Sequence, residues 1–281
     1  MASLLTQAVK VYDEVMEHAD PRVADWFMMQ SPLPSFIICL AYFIFVWMGP
    51  WLMEGRKPVE MRNVLLMYNI AMVGMSTYCF VEFLLAGWLA GYSLGCQPVD
   101  YSNSPQALRM ARVCWWFYFS KFIELLDTVF FILRKKFNQV SFLHVFHHGI
   151  MPISWWFGVK LVPGGFGTFH SLLNSFIHLM MYTYYGLSAL GPAFSRFLWW
   201  KKYMTSMQIT QFVLVTIHSV QLLFIECDYP VFFVYWIGLY AVVFLVLFAH
   251  FYIQTYTKAK AARAKKSDGQ IANGASKPKS S

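Results

Sequence analysis

The sequence predicts an all-α integral membrane protein, and three observations carry that prediction. Of the 281 residues 58% are hydrophobic, with a mean hydropathy of +0.47. Only 13% are charged, against about 25% in an average soluble domain. The apolar residues also fall in runs close to the roughly 20 that a helix needs to cross a bilayer. A net charge of +8 would suit a nucleic-acid binder. The basic residues, however, sit in short clusters between the apolar runs and in the last two dozen residues, as membrane topology arranges them. No nucleic-acid partner is expected.

Residues 1–30 form an N-terminal segment carrying Asp13, Glu14, Glu17, Asp20 and Asp25. No apolar core follows a basic start there, so no cleavable signal peptide is expected. Residues 31–257 hold seven expected spans, at roughly 34–52, 64–89, 111–133, 140–159, 168–189, 203–225 and 231–256. The fourth contains three histidines, Pro152 and Ser154. It reads as a broken or re-entrant helix, which is tolerated only where protein or a cavity covers it.

Basic residues set the orientation. An outside N-terminus puts Arg56, Lys57, Arg62, Arg134, Lys135, Lys136, Arg196, Lys201, Lys202 and the seven basic residues of the tail in the cytosol, sixteen of the 22. Lys10, Arg22, Arg109, Arg112 and Lys160 fall on the other side, and Lys121 inside a span. The asymmetry repeats loop by loop, so the N-terminus is expected to be lumenal and the C-terminus cytosolic.

Cys39, Cys79 and Cys114 lie in apolar spans and read as small buried residues. Cys96 and Cys227 lie in loops on the oxidising side and are expected to form a disulfide, two free thiols being the alternative. Residues 258–281 are too polar to bury anything and are expected to be disordered. Lys277 and Lys279 there resemble a dilysine retrieval signal of the endoplasmic reticulum; a chance basic tail is the other reading.

Polar residues inside spans are costly in hydrocarbon, and each invites a functional question. His144, His147 and His148 share one helical face by their i, i+3, i+4 spacing. In the third span Lys121, Glu124 and Asp127 step by three; in the fifth His170, Asn174 and His178 step by four, with Tyr182 next; in the sixth Thr205, Gln208 and Gln211 step by three. At about 1.5 Å per residue, Asp127, His144, His147, His178, Gln208 and Gln211 lie about 8 to 18 Å in from the cytosolic helix ends. Four helices thus offer polar groups at one depth, around a cavity that suits a charged head and a long apolar tail. His218 and His250, being isolated, are expected to be core residues.

His-x-x-His-His suggests a metal and resembles one box of the membrane di-iron desaturases. Those need several boxes, and no second one occurs, so no metal is expected. A neutral buried imidazole can act instead as base or nucleophile, its tautomer fixed by a carboxylate such as Glu124 or Asp127. No serine or cysteine stands in an evident nucleophile motif.

Lys121-Phe122-Ile123-Glu124-Leu125-Leu126-Asp127-Thr128, the box from His144 to His148, Asn174-Ser175-Phe176-Ile177-His178 with Met181 to Tyr185, and Thr205 to Phe212 together resemble the ELO-type very-long-chain fatty acid elongases. The resemblance runs from about Asp20 to Lys258 with every motif in order. It implies condensation of long-chain acyl-CoA with malonyl-CoA to 3-ketoacyl-CoA, CO2 and CoA, with no permanently bound cofactor. It further implies an endoplasmic reticulum membrane location and six of the seven spans around a narrow acyl tunnel. The partners implied are the ketoacyl reductase, dehydratase and enoyl reductase of the cycle, and a homodimer is allowed for. The Pro163-Gly164-Gly165 loop and Phe169-His170 look closest to animal members acting on saturated and monounsaturated chains.

On that reading His147 attacks the thioester, His178 acts opposite as base or oxyanion stabiliser helped by Asn174, Gln208 or Gln211, and Glu124 and Asp127 orient imidazoles. Lys121 balances their charge, and Arg134, Lys135, Lys136, Lys201 and Lys202 meet the CoA phosphates. Direct base catalysis without an acyl-enzyme is the other route. The alternative from another class is a non-enzymatic seven-helix receptor or transporter.

Overall fold

A computed structural model describes residues 4–258, and these fold into helices with no strand among them. In chain order they are α1 (Leu4–Met16), α2 (Leu33–Leu52), α3 (Arg62–Phe83, extended by a π turn Leu84–Trp88), α4 (Pro105–Ile123), α5 (Leu125–Leu133), α6 (Phe142–Leu161), α7 (Thr168–Ala189), α8 (Lys201–Gln221) and α9 (Val231–Tyr252, with a π turn to Lys258). The dilysine residues Lys277 and Lys279 and the rest of the tail from 259 lie outside the described residues.

Local chemistry sets the starts. Pro105 opens α4 behind Ser104, whose Oγ accepts from Ala107 N at 3.1 Å. Ser141 Oγ accepts from His144 N at 3.3 Å, which places the whole histidine box in the first two turns of α6. Before α7 the chain turns at Gly165, φ +65°, where a Cβ would stand 2.8 Å from the Gln97 carbonyl. Only glycine fits such an approach.

Two expectations are corrected. The fourth span is not broken: α6 runs from Phe142 to Leu161 with Pro152 inside it. In a helix packed on all sides, neighbours absorb the lost bond. The interruption falls in the third span instead, at Glu124, between α4 and α5. There Asp127 N donates to Glu124 O at 3.1 Å, a tighter i to i+3 turn.

Packing closes a circuit of six: α3 lies on α4, α4 on α6, α6 on α9, α9 on α8, α8 on α7, and α7 on α3. Helix α2 packs from outside on α5 and α6. Glycine permits both contacts, Gly149 under the Phe43 ring and Gly49 against Ile132. One end of the ring is tied by the Cys96–Cys227 disulfide, as expected from sequence; Cys39, Cys79 and Cys114 are free and buried. At that end Arg22 is held by Asp20 at 2.6 Å and donates to the carbonyls of Asp100 and Ser102. The loop of residues 21–29 is locked over the ring by Trp156 Nε1 donating to Met28 O.

Candidate active site

Three rungs join α4 and α5 to α7. Lys121 Nζ donates to Asn174 Oδ1 at 3.1 Å, Glu124 Oε1 lies 3.1 Å from His178 Nδ1, and Tyr182 OH donates to Asp127 Oδ2 at 2.7 Å. The partners step by three on one side and by four on the other. The tight turn at Glu124 reconciles them, since three residues at about 2.0 Å rise match four at about 1.5 Å. Lys121 Nζ also bonds Glu124 Oε1 at 2.7 Å and sits over the Phe117 ring, 4.2 Å from its centroid. With Lys121 and Glu124 3% and 2% exposed, this is a buried ion pair. Each charge there needs the other, because either alone would carry the full cost of desolvation.

The box itself divides into separate jobs. His144 Nε2 is 2.8 Å from Thr128 Oγ1, which in turn is 3.1 Å from Tyr42 OH on α2. Donation from Tyr42 to Thr128 and from Thr128 to Nε2 is an arrangement that satisfies all three groups, and it leaves the His144 proton on Nδ1. His148 is buried between its neighbours, 4.2 Å from the His144 ring and 5.3 Å from His147. His147 packs edge to face on Phe244 at 5.1 Å, and its nitrogens have no hydrogen-bond partner among the described residues.

His147, Lys121 and Asn174 line one part of a partly open cavity. Its walls are α6, α7 and α9, including Met151, Trp155, Trp236 and Phe244, and it runs to Val162, Gly167 and Tyr229 at the disulfide end. The shape is that of a polar head with a long apolar tail.

Not every expected residue joins this group. Asp127 meets Tyr182 and no imidazole, so its expected role in orienting a histidine is not the one it plays. Gln208 Nε2 reaches only Met181 Sδ at 3.9 Å, and Gln211 Nε2 is buried without a partner; neither bonds to a site residue. Arg134, Lys135, Lys136, Lys201 and Lys202 follow α5 and open α8, at the end of the ring opposite the disulfide. Thr205 bonds Tyr256 OH at 3.4 Å. His218 is stacked between Phe166 and Phe169 as a core residue, whereas His250 is exposed. Tyr42 and Trp155 were missed in the sequence, where the one signal for Tyr42 was a hydroxyl in an apolar run that holds only one other, Ser35. Among the described residues no group of three His, Cys, Asp or Glu converges as metal ligands do.

A closed helical ring with a buried ion pair and imidazoles at the head of an apolar cavity defines a helical membrane protein with a histidine-centred pocket. Three of its helices, α2, α3 with its π turn, and α9 with its π turn, are long and apolar enough to cross a membrane. The family model described as ELO, GNS1/SUR4 family, matches residues 27–264, and the chain belongs to that family. It is 54% identical over 263 residues to very long chain fatty acid elongase 7 of Rattus norvegicus, covering 92% of this chain and 93% of that one. Against very long chain fatty acid elongase 1 of Homo sapiens the identity is 53% over 256 residues, 90% and 91% of the two chains. Human very long chain fatty acid elongase 4 is 46% identical over 279 residues, 99% of this chain and 89% of that one.

Proposed function

We propose that this protein is the condensing enzyme of very-long-chain fatty acid elongation, joining a long-chain acyl-CoA to malonyl-CoA with release of CO2 and CoA. The observation that carries the reading is the free imidazole of His147 in the wall of an apolar cavity that Lys121 and Asn174 also line, with Glu124 bonded to Lys121, and His178 to Glu124, behind that pair. The names of the relatives agree with it.

The geometry supports a two-stage route. A nitrogen of His147 attacks the thioester carbon, the carbon–sulfur bond breaks, and CoA leaves as the thiol, giving an acyl-imidazole. Malonyl-CoA then loses CO2; the electron pair of that bond attacks the acyl carbon, the acyl carbon–nitrogen bond breaks, and the departing imidazolate takes up one proton from solvent, which restores neutral His147 in place of the N–H proton that left with the CoA thiol. Lys121 and Asn174 are the groups nearest the cavity head that can face the oxyanions of both stages. Glu124 holds the ring of His178 in place for proton transfer.

On this reading the seven hydrophobic helical stretches, α4 and α5 counting as one, all span the membrane of the endoplasmic reticulum. The disulfide end is lumenal and the basic end cytosolic, so Arg134, Lys135, Lys136, Lys201 and Lys202 meet CoA phosphates at the mouth. The ketoacyl reductase, dehydratase and enoyl reductase of the cycle take the product onward. Labelled malonyl-CoA incorporation by membranes tests the reading. Wild type forms 3-ketoacyl product and His147→Ala does not; equal incorporation by the two would reject it.

A further inference from the structure

His170 stands on the same face of α7 as Asn174 and His178, one turn nearer the disulfide end, and it lines the cavity. Its ring stacks on Trp155 at 5.8 Å with 10° between the planes, and meets Phe117 at 6.5 Å. Stacking covers one face of the ring and leaves the nitrogens at its edge. Among the described residues neither nitrogen has a hydrogen-bond partner. Several other polar groups of the wall are engaged, Lys121 and Asn174 with each other, Thr168 with the Gly165 carbonyl, and Ser154 with Tyr240. The mechanism accounts for His147 and leaves His170 unused.

A neutral imidazole carries one donor and one acceptor. Facing a plain alkyl chain, both stay unpaired, an arrangement that polar groups covered from water rarely keep. A hydroxyl on the chain would satisfy either nitrogen and be satisfied in turn. Resting on the elongase reading, we propose that His170 is a recognition point for a hydroxyl group carried by the acyl chain, so that the cavity accepts hydroxylated long acyl thioesters besides plain ones. Four residues at about 1.5 Å rise put His170 about 6 Å past Asn174. The hydroxyl it reads therefore belongs to the part of the chain near the thioester, not to its far end. Hydroxyls facing the aromatic and aliphatic stretches of the wall, around Met151, Ile237 and Phe244, find no partner and are disfavoured.

The test compares kcat/KM of the full-length protein in lipid nanodiscs, with malonyl-CoA, for octadecanoyl-CoA and for isomers with the hydroxyl moved stepwise along the chain. Wild type uses one or two proximal isomers within about threefold of the plain chain and the distal ones about tenfold worse. His170→Phe lowers the ratio of the favoured isomer to the plain chain about tenfold, and His170→Gln, which keeps donor and acceptor, restores most of it. An unchanged ratio in His170→Phe overturns the proposal. So does a wild-type profile that does not depend on hydroxyl position, which decides the matter even where His170→Phe loses all turnover. Failure of wild type to extend the plain chain would instead reject the elongase reading.

Discussion

Glu124 Oε1 lies 3.1 Å from Nδ1 of His178, and the same oxygen accepts from Lys121 Nζ at 2.7 Å. One buried carboxylate oxygen thus fixes an imidazole on α7 and a cation on its own helix. Glu124→Gln keeps the shape but strands the Lys121 charge. We expect kcat to fall at least about a hundredfold and the unfolding midpoint to drop by an amount equivalent to about 3–5 kcal/mol. A double substitution Lys121→Met, Glu124→Gln should recover stability without recovering turnover. Thermal unfolding beside steady-state kinetics reads both, and recovered turnover would contradict the role given to the pair.

The Tyr42, Thr128, His144 chain predicts a pattern that simple destabilisation would not produce. Thr128→Val removes the proton donor to His144 Nε2 and should lower kcat about tenfold or more with KM little changed. Thr128→Ser should restore it. Tyr42→Phe should fall between them, because Thr128 remains but its hydroxyl may point either way. Equal losses in the valine and serine variants would show that packing, not the hydroxyl, matters.

Tyr182 donates to Asp127 Oδ2 at 2.7 Å, in contact with neither His147 nor the cavity. Tyr182→Phe should therefore cost about 1–3 kcal/mol of stability by leaving a buried carboxyl short of a donor, with kcat/KM for the folded fraction within about threefold of wild type. A hundredfold loss in kcat without loss of stability would put Asp127 back among the groups that act on imidazole.

The disulfide between Cys96 and Cys227 closes a separation of 131 residues and ties the loop before α4 to the loop before α9. Its removal by Cys96→Ser should cost about 2–5 kcal/mol. The cavity floor near Tyr229 and Gly167 lies beside that loop, so chain-length preference should broaden as stability falls. Product profiles by mass spectrometry with and without reductant measure this, and an unaltered profile would separate the floor from the bridge.

Much of this protein is legible in the bare chain, because hydrocarbon makes each polar residue conspicuous. Apolar run length gave the seven apolar stretches to within about six residues but not α1, loop position gave Cys96 with Cys227, and residue spacing gave His144, His147, His148, the Lys121 to Asp127 row and the His170 to Tyr182 row. Periodicity, though, reports which side chains share a face and not what that face meets. Tertiary structure alone decided that Glu124 takes His178 while Asp127 takes Tyr182, and that His144 is held by Thr128 and Tyr42. It also left Gln208 and Gln211 without a site partner, and kept α6 whole through Pro152 while the chain turned tightly at Glu124. The physical reason is that hydrogen bonds and ion pairs act over about 3 Å. Their partners are therefore chosen by helix rotation and offset, which packing sets and which no single stretch of sequence encodes.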